Sequence, residues 1–155
     1  MPVTLVVITI GALGLAMVLW IKRERDLRTL EQHSTTAEAL RAAMTSNADI
    51  LLFDVRQPLD LLAYPEIIPG AKRINPDEVL RNPTLIPKEK DSVVYCTCPS
   101  DKTSRAVLRR ALSLNLSRIK FLRGGLAGWK ALDYPVEKYE ETFHLYTPHP
   151  ALPVK

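Results

Sequence analysis

The sequence predicts an α/β domain with a mainly parallel central sheet flanked by helices, preceded by one transmembrane helix. Three observations carry that reading: an uncharged apolar run near the start, strands alternating with helices after it, and two cysteines at a strand-to-helix turn. A chain of 155 residues, 46% hydrophobic and 25% charged, has room for one ordinary core plus an appendage. The net charge of +4 permits nucleic-acid binding, but Lys and Arg are scattered and no aromatic stripe runs between them, so no nucleic acid is expected as a partner. Two cysteines are too few for a disulfide framework, which leaves thiols that are reduced and chemical.

From Val3 to Ile21 the run VTLVVITIGALGLAMVLWI spans roughly 19 residues, enough to cross a hydrocarbon layer about 30 Å thick. A cleavable leader needs a basic start and a small-x-small cleavage site; this run opens on Met1-Pro2 and ends in Leu19, Trp20 and Ile21, so it reads as an anchor. Lys22, Arg23, Arg25 and Arg28 follow it. The positive-inside rule therefore sets the N-terminus outside and the C-terminal domain in the cytoplasm, a single-pass membrane arrangement. The expected division is an anchor over 1–21, a charged helical stalk over 22–33, a folded domain over 34–140 and an irregular tail over 141–155.

Within the domain, Thr35 and Glu38 are spaced as a capping box ahead of a helix whose apolar face is Leu40, Ala43 and Met44. ADILLFDVR is a short apolar run suited to a strand buried on both faces. Pro69-Gly70 marks a turn, AKRIN supplies a brief strand, and Pro76-Asp77-Glu78 opens a helix with acidic residues in its first turn. NPTLIPKEKD is a loop and SVVYCTC the next strand. TSRAVLRRALSLNL is an amphipathic helix with Ala106, Leu108, Leu112 and Leu114 toward the core. RIKFLRGG ends in glycines that permit positive φ, and LAGWKALDYP gives a last short helix with Leu126, Trp129 and Leu132 on one face.

The chemistry concentrates in VVYCTCPSDKTSRAVL. In a parallel sheet, ligands bind beyond the carboxyl ends of the strands, where this loop lies. The helix after it begins with N–H groups that lack intrahelical partners, so an anion, a thiolate included, is stabilised there. A cysteine just ahead of such a helix has a lowered pKa, and the thiolate is the attacking form. Lys102 adds positive charge, and Thr103 and Ser104 offer hydroxyls. His33, His144 and His149 show no pattern that links them to the loop and read as surface or structural.

FDVR after a strand, IIPGA about a dozen residues on, VVYCTCPSDKTSRA and finally FLRGGLAGWKALDYPVE together resemble a single rhodanese-like domain, over roughly Thr35 to Glu137. The resemblance implies a thiosulfate-type sulfurtransferase. A loop cysteine would accept sulfane sulfur from a small-molecule donor, form a persulfide and pass the sulfur to a thiol or sulfur-carrier acceptor, with no cofactor or metal. It implies catalytic roles for Cys98 and Cys96, substrate binding by Pro99, Ser100, Asp101, Lys102, Thr103, Ser104 and Arg56, and a structural place near the site for Asp54.

Departures matter here. Family members often carry Gly-His ahead of the Ile-Pro-Gly-Ala turn, where this chain has Glu66-Ile67. Loop length counted back from Ser104 selects Cys98 as nucleophile, whereas position directly after the strand selects Cys96; loop length favours Cys98. Related phosphatases carry Cys, five residues and Arg, but six positions after Cys98 stands Ser104 and six after Cys96 stands Lys102, which disfavours phosphoryl chemistry. Two alternatives stay open: a catalytically weak interaction or thiol-sensing module, and copper(I) handling through Cys-x-Cys.

Overall fold

The computed structural model describes residues 2–46, 48–97 and 100–139. Its first element is one helix, α1 (Pro2–Gln32), with no break between the apolar run and the charged stretch. Ile10, Leu13, Met17 and Trp20 are 63–72% exposed. Among the described residues, no helix is long and apolar enough to cross a membrane. The far end of α1 belongs to the domain: Leu30 is 6% exposed within the core, and the His33 backbone carbonyl accepts the Phe121 N–H at 2.9 Å. His33 Nδ1 lies 3.0 Å from the Ile119 carbonyl, so this histidine is structural.

The chain then runs β1 (Ser34–Thr35), α2 (Ala37–Thr45), β2 (Ile50–Asp54), α3 (Pro58–Ala63), β3 (Glu66–Ile67), β4 (Lys72–Arg73) and α4 (Pro76–Arg81). A 3₁₀ turn over Pro83–Leu85 leads to β5 (Asp91–Tyr95), α5 (Lys102–Leu112), β6 (Ile119–Leu122), α6 (Gly125–Lys130) and β7 (Glu137–Lys138). Five strands make a parallel sheet in the order β1-β6-β5-β2-β4, and β3 pairs antiparallel with β7. Successive residues of the central strands alternate between two cores, as the pleat requires. Phe53, Val94 and Phe121 pack with Val107, Leu108 and Ala111 of α5 on one face; Leu52, Val93 and Leu122 pack with Leu40, Leu126 and Trp129 on the other.

Several expectations are corrected. Thr35 does not cap α2; it pairs with Leu122 in β1, and Thr36 is the cap, its Oγ accepting the Ala39 N–H at 3.2 Å. Glu38 is then one position too early to close a capping box. The buried face of α5 is Ser104, Val107, Leu108 and Ala111, an i, i+3, i+4, i+7 set. Ala106 and Leu112 are only partly buried, and Leu114 lies beyond the Ser113 cap at 39% exposure. Leu132 is 40% exposed because α6 ends at Lys130. Helix α3 was not expected; Pro58 at its first turn is the local signal, and only Leu61 of it is buried.

Candidate active site

Strands β2, β5 and β6 end side by side, and the segments leaving them build one site. At the end of β2, Asp54 and Arg56 are both fully buried, 2.5 Å apart between Oδ2 and Nη2. The Arg56 backbone N–H and Nε both donate to Asp54 Oδ1 at 3.0 Å, and Nε also donates to Oδ2 at 2.8 Å. Its outer nitrogens reach onward, Nη1 to the Tyr64 carbonyl at 2.9 Å and Nη2 to the Glu66 carbonyl at 2.8 Å. Arg56 thus ties the segment after α3 to the strand end. Its side chain is fully buried in these contacts.

Tyr95, the last residue of β5, extends the same network. Its hydroxyl donates to Asp54 Oδ2 at 3.3 Å and accepts the Ile68 N–H at 3.2 Å. Burial, and then the Asp54 charge, push the phenol well above its ordinary pKa, so it stays a neutral donor. Asp54, which the family resemblance places near the site, is fully buried between Arg56 and Tyr95. The tyrosine was not singled out from sequence, although it is the residue before Cys96.

Cys96 follows at 1% exposure. Its carbonyl accepts the Leu126 N–H at 3.0 Å, and between them Gly125 has φ 50°; a Cβ on Gly125 would lie 1.9 Å from the Cys96 oxygen. Only glycine allows that approach. Cys98 and Pro99 lie outside the described residues. Ser100 is exposed and sits in a turn.

Asp101 adopts φ 52° and ψ 26° immediately before α5 and is 4% exposed. Its Oδ2 accepts the Gly124 N–H at 3.0 Å, while Oδ1 has no partner. Burial raises its carboxyl pKa, opposed by the Gly124 N–H and the Arg105 charge. Lys102 opens α5 and points to solvent, and Thr103 is half-buried. Ser104 is fully buried with its Oγ unpartnered. Next to it in sequence, Arg105 has its guanidinium 5.3 Å from the centre of the Phe121 ring.

These positions place Cys96 at the carboxyl edge of the sheet and Asp101 directly before α5. Among the described residues, no group of three His, Cys, Asp or Glu is arranged to hold a metal ion. The rhodanese-like domain family matches residues 36–132. The chain belongs to that family. A sulfurtransferase of Allochromatium vinosum is 27% identical over 100 residues, 64% of this chain and 90% of that protein. The rhodanese-like domain is therefore a distant homologue of a sulfurtransferase. A Lactobacillus plantarum protein superposes with a TM-score of 0.63 at 21% identity, over 75% of this chain and 97% of that one. A thiosulfate sulfurtransferase from Pseudomonas aeruginosa superposes at 0.58 with 22% identity, over 74% of this chain and 22% of that chain. Both likenesses concern the fold, a rhodanese-like sheet of five parallel strands flanked by helices.

Proposed function

We propose that this rhodanese-like protein is a membrane-anchored sulfurtransferase of the thiosulfate type that carries sulfur on Cys98. The observation that carries the reading is the loop that begins at Cys96 and ends at α5. Its described ends, Cys96 and Asp101, lie at the carboxyl edge of a parallel sheet, where the helix start favours an anion. Cys96 is almost wholly buried, and an incoming donor needs an exposed sulfur, which supports Cys98 as the carrier.

The chemistry is two displacements at sulfur. The Cys98 thiolate attacks the outer sulfur of thiosulfate, the S–S bond of the donor breaks, and sulfite leaves with the bonding pair. An acceptor thiolate then attacks the outer sulfur of the Cys98 persulfide, and the Cys98 thiolate leaves. Charge is conserved in both steps, and the N–H groups that open α5 favour the anionic persulfide between them. The acceptor is a thiol or a sulfur carrier near the membrane.

Anchoring through residues 1–21, with the domain cytoplasmic, is part of the proposal. It is supported by the exposed apolar side chains of α1 and by Lys22, Arg23, Arg25 and Arg28 after them. Intact mass after incubation with thiosulfate tests the chemistry: one added sulfur is expected in wild type and in Cys96→Ser, and none in Cys98→Ser. Sulfur gain by Cys98→Ser would move the role to Cys96. Extraction of the full chain from membranes by alkaline carbonate would overturn the anchor.

A further inference from the structure

Three described residues other than glycine have positive φ: Asp101, Asn115 and Asp133. Asn115 and Asp133 are exposed and follow the ends of α5 and α6, where a left-handed residue is common. Asp101 differs on both counts. It precedes its helix and is 4% exposed.

An aspartate in the cap position ordinarily turns its carboxylate onto the N–H groups of its own first turn. Asp101 makes no such bond. Its Oδ2 reaches instead across 23 residues of sequence to the Gly124 N–H at 3.0 Å. The left-handed backbone that permits this reach carries a steric cost of about 1–2 kcal/mol for a residue with a Cβ. Something in the site has to offset it.

The partner is informative. Gly124 caps α6 and Leu126 lies in its first turn; Gly124 donates to Asp101, and Leu126 donates to the Cys96 carbonyl at 3.0 Å. The two bonds therefore fasten the two ends of one loop, and the residues between them include Cys98. Gly125, held between the donors with no room for a Cβ, fixes the spacing of the two points.

We propose that Asp101 is a positioning residue whose carboxylate latches the end of the cysteine loop to the Gly124 amide, completing a two-point clamp with the Leu126-to-Cys96 bond. The inference rests on the sulfur-carrier reading only in taking the clamped loop to be the reactive one. Asp101 then acts through the loop backbone and does not bind the donor. Its buried negative charge is a poor neighbour for an anionic donor but a strong acceptor for an amide.

Three variants of the full chain test the latch. Asp101→Asn keeps an acceptor oxygen and a residue that tolerates left-handed backbone; Asp101→Gly keeps the backbone freedom and loses the acceptor; Asp101→Ala loses both. Amide exchange at Gly124 by NMR should quicken about tenfold in Asp101→Gly, the scale of one lost buried hydrogen bond to a charged group, with the far-UV spectrum unchanged. Sulfur loading of Cys98, followed by intact mass, should slow by a similar factor. Asp101→Asn should recover the Gly124 protection and most of the loading. The latch is overturned if Asp101→Gly retains wild-type exchange at Gly124, or if Asp101→Asn loses protection as fully as Asp101→Gly. If wild type gains no sulfur from any donor, the sulfurtransferase reading fails while Gly124 exchange still decides the latch.

Discussion

The two ends of the parallel sheet treat charge in opposite ways. At the amino end, Lys90 pairs with Asp49 and Arg118 with Asp91, every one of those side chains at least 46% exposed. At the carboxyl end, Asp54, Arg56 and Asp101 are buried, and each holds backbone from a segment distant in sequence or a strand end. Exposed pairs are screened and contribute little, whereas a buried charge that loses its partner is left uncompensated. The contrast separates a solvated edge from one built to hold irregular backbone in place, and Cys96 stands at that second edge.

Arg56→Ala should break the contrast most severely. It leaves the buried Asp54 carboxylate without its counter-charge, held only by the residue-56 backbone N–H and the Tyr95 hydroxyl, and frees the Tyr64 and Glu66 carbonyls, so urea unfolding should show a loss of about 3–5 kcal/mol. Wild-type stability in that variant would mean the buried pair braces nothing. Next comes Gly125→Ala. Left-handed backbone and a contact of 1.9 Å with the Cys96 oxygen together should cost about 2–4 kcal/mol, and the shift of the Cys96 carbonyl should slow sulfur loading.

Two smaller effects differ in sign, and pH exposes them. Asp101 has a raised pKa in the folded state, so its contribution to stability is greatest below the ordinary aspartate value near 4 and is lost as pH rises through the folded value. Thermal melts of Asp101→Asn should lack that decline, and its melting temperature at pH 8 should be no lower than wild type; a clear drop there would refute the sign. Asp91 is the reverse case: its hydrogen bond to Arg118 lowers its pKa, so its contribution is present above about 4 and is lost as pH falls through the folded value. Arg118→Ala should flatten this acid limb by lowering the melting temperature slightly at neutral pH and leaving it unchanged in acid, the smallest effect of the four.

Much of the carboxyl edge was legible in the sequence because its signals are local. The apolar runs ILLF and VVY, the proline that opens α4 and the paired glycines after β6 each report the backbone they need. Legibility fails where a residue's role is set by a partner far along the chain. Thr35 and Thr36 look equivalent as caps until β6 claims Thr35 as a strand residue. Ser104 reads from its place in the loop motif as a polar loop residue, and only the phase of α5 shows that it shares the buried face with Val107 and Leu108. Asp101 reads as one more loop polar group; its bond to Gly124 joins positions that no local window contains. Tyr95 hides for a related reason, since in a run of apolar residues its hydroxyl leaves no pattern.

The passage from α1 into the domain sets a rotational phase. The helix continues to Gln32, Leu30 is already in the core, and Ser34 is already in the sheet, so no slack segment separates them. If residues 1–21 anchor the chain as proposed, the remaining turns make a post of about 17 Å at 1.5 Å per residue. One residue inserted between Lys22 and Arg28 would swing the cysteine loop about 100° around that post, and four would bring it nearly back to its original bearing. Delivery of sulfur to a partner fixed in the same bilayer should follow that compass, while delivery to a small thiol in solution should ignore it.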